Sequence, residues 1–466
     1  MVLKNIILKQ KYFLFFLFFA SFITRILFFG FYLSNNNKYW NYDTRVYHQV
    51  AQQISNGNGI KNEDGSCHFY RVPGYSLFLA ACYKFFDFDL KKALLIQAFL
   101  ASLIPLLIFF ISLILFPNSF LLAKLSSFLS IVHLGYLVFS GIAMTEIFFV
   151  FFFYLFLIFF LNNLNLFFCK KSNLNIFLKQ LFLAGVFLGL ASMFRPVGHY
   201  LIFSSMFLIL VSSLDWVANF RKILFLFMGW FLIVFTWLLR NWLLTGCIFF
   251  HTLSGVHFLK HLGARVLMNQ CNCSYSVALQ NLNNEWNDDR TNKEKQLNRK
   301  ISEIENCILA ENITIKYLKK NPLLSLKHCF INMFKTCFSL FSAELLFIDS
   351  GGKLPSYSNK RTVKDILFRF LFPDTNNFYL KIIIYLEILF MFYLWLGFVG
   401  FIFKSFLNLD YFCVLAKTFT FIFIFVFISL ACGFARLRLS VECFLIILSL
   451  RFWIDCFYKK TGMDYD

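Results

Sequence analysis

Apolar runs of about 20 residues, long enough as helix to cross ~30 Å of hydrocarbon, recur along most of the chain. The first, at 12–33, follows Lys4, Lys9 and Lys11. It is long for a signal-peptide core and no small-residue cleavage pattern closes it, so it reads as a retained first helix. Residues 73–86 are apolar but short and read as a helix dipping into the interface. Spans follow at 93–116, ended by Pro117-Asn118, at 120–138 and at 144–164. A fifth ends at Phe194-Arg195-Pro196, a sixth covers 200–214, and a seventh ends at Trp237-Leu238-Leu239-Arg240-Asn241. The last three are expected at 379–403, 419–432 and 439–457. The fold class is therefore an all-α polytopic membrane protein with about ten spans, ten to twelve with the ambiguous segment 323–348.

Two polar intervals interrupt this pattern. Residues 35–75 follow the first span and gather Asp43, Arg45, Tyr47, His48 and Arg71 in one loop. Residues 269–321 are polar and charged and cannot lie in lipid; they read as a soluble insertion, helical over 288–320. The stretch 323–348 is apolar but carries Lys327, His328, Lys335 and Glu344, so it either crosses or lies at the interface. Three units follow: a transmembrane core at 1–241, an insertion with interfacial helices at 242–378, and C-terminal spans at 379–466.

Composition confirms the class and orients it. Of 466 residues, 59% are hydrophobic and 15% charged, where a soluble chain carries about a quarter charged. The 70 Phe read as the mark of an AT-rich genome. The net charge of +20 raises nucleic acid as a partner, yet the basic residues sit in short loops between spans, as the positive-inside rule requires, and no nucleic-acid partner is expected. That rule puts the first loop, the insertion and the helix ends at Glu146, Arg195 and Arg240 on the outer side. Cys67, Cys247, Cys271, Cys273 and Cys307 would share that side, where one or two disulfides can form.

Candidate chemistry is sparse. His257 and His261 stand at zinc-ligand spacing beyond the seventh span with His251 nearby, but no third ligand is legible and no metal is expected. Asp87 and Asp89 are followed at once by lysines and read as a solvated turn. No nucleophile elbow, phosphate-binding loop or paired C-x-x-C is present. Glu146, one turn inside a span, needs a cation such as Arg195 or Arg71, or access to water. Glu387, in mid-span, reads as a hydrogen bond to a neighbouring helix.

Taken in order, Asp43-x-x-x-Tyr47, Gly57-Asn58-Gly59 and Arg71-Val72-Pro73-Gly74-Tyr75 resemble the first loop of GT-C glycosyltransferases. The likeness is to the subgroup with lipid A aminoarabinose transferases and protein O-mannosyltransferases. Met144-Thr145-Glu146, Arg195-Pro196 and Trp237-Leu-Leu-Arg240-Asn241 are similar to the same subgroup. Arg436-Leu-Arg438-Leu-Ser440 occupies the place of a family Arg-Tyr-x-x-Pro element, with Leu and Ser in place of Tyr and Pro.

The resemblance implies an enzyme that moves a sugar from a polyprenyl-phosphate donor to a glycolipid, such as lipid A, or to a protein. It also implies a multi-pass protein of a bacterial inner membrane with its site facing the periplasm, and no cofactor is expected. Asp43 is the candidate catalytic base, with Glu146 beside it, and an alternative reading makes Asp43 a helix N-cap. Arg71, Arg195 and Arg240 are candidates for the donor phosphate, although an Arg at a helix end often only reaches to headgroups. Tyr47, Arg45, Tyr75 and Asn241 are candidates for positioning substrate. An apolar groove for the polyprenyl chain is expected beneath the first loop, bordered by 73–86, by the ends of the fifth and seventh spans and by the segment 323–348. The rival readings are a secondary transporter, which would show repeated halves and polar midplane groups, and a lipid-linked oligosaccharide ligase or polymerase.

Overall fold

In hydrocarbon every backbone amide and carbonyl needs an internal partner, so apolar runs become helices. The computed structural model describes residues 2–30, 40, 42–117, 119–166, 174–350, 372 and 375–461. Residues 35–39 and Asn41 of the first loop, the basic pair Lys170-Lys171 and most of 351–374 lie outside them. The described residues are helical, with one isolated antiparallel bridge between Lys61 and Cys67.

The first half contains α1 (Val2–Phe28), α2 (Tyr42–Ser55), α3 (Gly74–Phe86), α4 (Leu90–Ser102), α5 (Ile104–Leu115), α6 (Phe120–Val132), α7 (Leu134–Gly141) and α8 (Glu146–Leu166). It continues through α9 (Leu174–Phe194), α10 (Val197–Ser212) and α11 (Trp216–Thr245). Beyond lie α12 (Leu253–His257), a π-helical turn (Phe258–Gly263), α13 (Ala264–Gln270), α14 (Tyr275–Leu297) and α15 (Glu303–Lys320). The chain closes with α16 (Pro322–Phe338), α17 (Ser342–Asp349), α18 (Phe378–Ser405), α19 (Leu409–Ser429), α20 (Ala435–Arg438) and α21 (Glu442–Thr461).

Among the described residues seven helices, α4 and α5 counting as one, are long and apolar enough to cross a bilayer, and two bent pairs raise the count to nine. This is a multi-pass membrane protein. The sequence-based count of ten differs for physical reasons. Helix α10 has only 16 residues, and α21 carries Glu442, Arg451 and Asp455. The third span is broken at His133, whose extended backbone bends α7 from α6 by 48°. The ambiguous segment 323–348 is likewise two helices, α16 and α17, bent by 95°.

Helix α8 is the hub. Inside the protein lies 72% of its apolar window, against 33% for α18 or α19. Phe149, Phe153, Phe156 and Phe160 stack along it, and Phe421 and Phe425 pack edge-on against them. Helices α9 and α11 meet at Gly185 and Gly229, where a Cβ would fall within 2.1 Å of the Leu226 carbonyl or 2.0 Å of the Phe182 carbonyl. Only glycine allows that approach, as at many membrane helix crossings. The charges of α21 form a knot: Lys404 Nζ lies 2.5 Å and Arg451 3.0 Å from Asp455.

The insertion is helical, as its pattern suggested, with a small core of its own around Leu259, Leu267, Ala278, Leu282 and Ile313. Ser302 and Glu305 form a reciprocal capping box at the start of α15. Cys67, Cys247, Cys271 and Cys307 are thiols.

Candidate active site

The first loop is shaped by its glycines and by distant side chains. Gly57 and Gly59, both at φ 81°, turn the chain after α2 through backbone that side chains disfavour. Arg240, at the end of α11, donates to the carbonyls of His68 and Ile60, both at 3.0 Å, and to Asn241 Oδ1 at 2.9 Å. Its guanidinium also covers the rings of Trp237 and Phe69 at 4.7 and 4.9 Å. Asn241 in turn donates to the Phe249 carbonyl. Both residues therefore hold backbone here, Arg240 tying the loop to the seventh apolar run. Thr252 completes the tie, its amide donating to the Phe69 carbonyl.

The loop presents Arg71 to α2. Arg71 Nη2 lies 2.6 Å from Asp43 Oδ1, and Nη1 donates to the Tyr47 hydroxyl at 2.9 Å. Asp43 and Tyr47 are one turn apart and face the same way, as their spacing requires. Because α2 begins at Tyr42, Asp43 lies inside the first turn and the cap position falls before it. Its carboxylate holds two guanidiniums and does not act as the N-cap foreseen as an alternative. The second guanidinium belongs to Arg436 of α20, whose Nη1 lies 3.0 Å from Asp43 Oδ2.

A second pair adjoins the first. Glu146, the first residue of α8, lies 3.6 Å from Arg195 Nη1, one of the two partners its position suggested. The same nitrogen donates to the Arg436 carbonyl at 3.2 Å. Thr44, next to Asp43, donates to the Ala143 carbonyl at 3.0 Å and locks α2 over the start of α8. Glu344 of α17 interacts electrostatically with Arg436, Glu146 and Asp43. Asp43 and Glu146 thus pair with Arg71, Arg195 and Arg436, with Glu344 in electrostatic reach, where six separate stretches of the chain converge.

The other candidates take different places. Tyr75 is fully buried and donates to Gln97 at 2.8 Å; Gln97 donates to the carbonyls of Phe139 and Ile142, bracing the turn before Glu146. Arg45 points outward and is exposed. His257 and His261, 5.1 Å apart, interact electrostatically with Asp43. Burial, then the neighbouring His261 and Arg436, push His257 down to about 3, so it is neutral. Among the described residues no three His, Cys, Asp or Glu side chains are grouped to hold a metal ion.

On its α8 and α9 side, the space expected to form a lipid groove beneath α3 is filled by aromatic rings. Phe78 lies 4.3 Å from Phe148, which stacks on Phe194 at 4.9 Å, and a Cβ on Gly74 would meet the Met193 carbonyl at 2.5 Å. Short apolar helices satisfy their surface by packing aromatic rings, and here the rings come from α8 and α9. A cavity of about 570 Å³ lies instead in the insertion, between Leu267, Gln270, Tyr317 and Leu324.

Electrostatics fix the resting state of Asp43. Burial by itself would raise its pKa, but Arg436 and Arg71 outweigh that and hold it at about 2. Folding lowers the value from an ordinary 3.8, so the ionised carboxylate stabilises the native state. That contribution is complete above a pH of about 5 and is lost as pH falls through about 4 towards 2. It amounts to about 2 kcal/mol, from the worth of a pKa unit. The melting temperature of the detergent-solubilised protein should therefore drop over that window more steeply for wild type than for Asp43→Asn. Parallel pH curves would show that the two arginines do not hold Asp43.

Neither a protein-family model nor a curated protein matches the chain. Solved structures do. The Archaeoglobus fulgidus oligosaccharyltransferase, tethered to an acceptor peptide containing the NVT sequon, aligns with a TM-score of 0.54 at 13% identity, over 98% of this chain and 51% of that one. The archaeal oligosaccharyltransferase AglB of the same organism, in complex with an inhibitory peptide and a dolichol-phosphate, gives 0.54 at 13% identity, over 97% and 52%. The apo form of the Archaeoglobus enzyme gives 0.53 at 14% identity, over 97% and 52%. The chain spans about half the length of these proteins. At this identity the likeness establishes the fold, the GT-C helical membrane fold.

Proposed function

We propose that this protein is an integral-membrane glycosyltransferase that moves a sugar from a polyprenyl-phosphate donor to a protein or glycolipid acceptor. The observation that carries the reading is Asp43 held between Arg71 and Arg436, with the Glu146–Arg195 pair adjoining. One cluster supplies a carboxylate for the acceptor and guanidiniums for a lipid phosphate. The likeness to proteins whose structures contain a dolichol-phosphate and an acceptor peptide supports a lipid-linked donor. We place the cluster on the periplasmic face of a bacterial inner membrane, because the basic loops lie on the opposite side of the spans. The units 1–241, 242–378 and 379–466 then serve as core, outer insertion and closing spans.

The chemistry follows from the pairing. The acceptor oxygen or nitrogen forms a bond to the anomeric carbon and gives up its proton to Asp43. The bond from that carbon to the phosphate oxygen breaks, and its electron pair leaves on the polyprenyl phosphate. Developing charge there needs cations, which Arg71, Arg436 and Arg195 supply. A carboxylate with a pKa near 2 is a weak base. A donor phosphate competes with Asp43 for the same guanidiniums, so donor binding itself restores the basicity of Asp43. Tyr47 keeps Arg71 oriented during the exchange, while Arg240 and Asn241 keep the loop in shape. Arg45, exposed beside them, is a contact for the acceptor.

The oligosaccharyltransferase likeness favours a second reading, transfer of a lipid-linked oligosaccharide. Membranes containing the protein, given radiolabelled polyprenyl-phosphate sugars or lipid-linked oligosaccharides, distinguish the two. Label should pass to a lipid or protein fraction from one donor class and not from membranes lacking the chain. Absence of transfer from every donor by the folded protein would overturn the reading.

A further inference from the structure

The break between α16 and α17 is held by a polar device that the cluster around Asp43 does not contain. A 95° bend there strands the last carbonyls of one helix and the first amides of the next, which is costly where water is scarce. Distant side chains satisfy both sets. Glu387, on α18, accepts from the amides of Phe341 at 2.6 Å and Ser342 at 2.9 Å, one through each carboxyl oxygen. Arg438, closing α20, donates to the Thr336 carbonyl at 2.8 Å and also to the Cys337 carbonyl. Trp395 adds a bond to Cys337 at 3.1 Å. The signs match the helix ends, an acid at the amides and a base at the carbonyls.

The device is buried and braced. Glu387 is 6% exposed, Arg438 3% and Glu442 0%. Glu442 pairs with Arg438 and lies 3.5 Å from His133, the residue that breaks the other bent pair. What this geometry controls is α17, which carries Glu344 two residues beyond the Glu387 bonds. Leu345 anchors α17 in the core at 0% exposed. Arg438 also stands two residues from Arg436, so the same short helix that holds the break delivers the second cation to Asp43.

We propose that Glu387 and Arg438 are positioning residues: by gripping the two ends of the break they fix α17, and with it Glu344, within electrostatic reach of the Asp43 cluster. The proposal rests on the glycosyl-transfer reading for its kinetic consequence but not for its structural one, and the test uses both. In a chain whose other cysteines are replaced, Leu345→Cys should resist a maleimide, and adding Glu387→Ala should make it reactive. Glu387→Gln, whose amide oxygen still accepts a bond, should restore part of the protection. In the transfer assay Glu387→Ala should lower kcat by roughly tenfold with donor KM little changed. That loss should shrink towards nothing in a Glu344→Gln background, because a device acting through Glu344 has nothing left to position. Unchanged labelling of Leu345→Cys, or losses that simply multiply in the double variant, would overturn the proposal. If Glu387→Ala does not accumulate, Arg438→Lys takes its place, since one ammonium cannot hold both carbonyls and the Glu442 carboxylate together, as Nη1 and Nε of the guanidinium do. A wild-type protein that transfers no sugar would defeat the functional reading, while the labelling would still decide the positioning.

Discussion

Asp43→Asn is expected to lower sugar transfer by roughly 10²–10⁴-fold, the usual worth of a positioned general base. The substitution keeps the shape and an oxygen that can accept from Arg71 or Arg436, but it removes the charge that holds them and, in the proposed mechanism, the group that takes the acceptor proton. Some stability should go as well, because each guanidinium then faces a neutral amide in a site where Asp43 is 14% exposed. The measurement is therefore transfer per folded molecule, with the melting temperature in detergent as the control. Asp43→Ala should be worse on both counts, since it leaves two partly buried cations with no acceptor at all. A well-folded Asp43→Asn protein with normal turnover would remove Asp43 from the chemistry and reduce the first loop to a binding lid.

Arg436→Gln should cost about 10²–10³-fold in kcat/KM for the donor, the range seen when one preorganised donor to a developing oxyanion is removed. The expectation comes from its place: it reaches Asp43 Oδ2 at 3.0 Å, and its backbone carbonyl holds Arg195. Arg71→Gln should resemble it, because in the proposed mechanism both guanidiniums pass to the lipid phosphate when the donor enters. The two differ in one respect. Loss of Arg71 also frees the Tyr47 hydroxyl, whereas loss of Arg436 exposes Glu344 to the like charges of Asp43 and Glu146. The Arg436 variant should therefore show the larger upward shift in the acidic limb of its pH–rate profile. Donor KM and kcat both at wild-type values would exclude Arg436 from donor binding and leave it as a structural partner of Asp43.

The sequence by itself determined where helix would form and which side chains could meet water. Hydropathy reports a local free energy, the transfer of each segment into hydrocarbon, and that is legible one window at a time. It found the first loop, the helical insertion and the acids and bases at the helix ends, and the need of Glu146 for Arg195, Arg71 or water followed from the cost of leaving a carboxylate alone in a span; the fold selected Arg195. The spacing of Asp43 and Tyr47 placed both on one face of α2, where Arg71 meets them.

Only the tertiary structure decided the rest. Arg436 lies 393 residues from Asp43, and its element carries Leu and Ser where the Arg-Tyr-x-x-Pro pattern it resembles has Tyr and Pro, so no local signal joined the two. The bends at His133 and after Phe338, which break the third expected span and the segment 323–348, depend on what surrounds each break. A helix in lipid ends only where something else satisfies its backbone, and Glu387 and Arg438 come from other helices to do so. The filling of the space under α3 was equally illegible, because shape complementarity among Phe78, Phe148 and Phe194 is a property of packed rings and not of their order in the chain. Local partition fixed the helices; contacts between distant side chains fixed how they break, where they cross and which charges share a site.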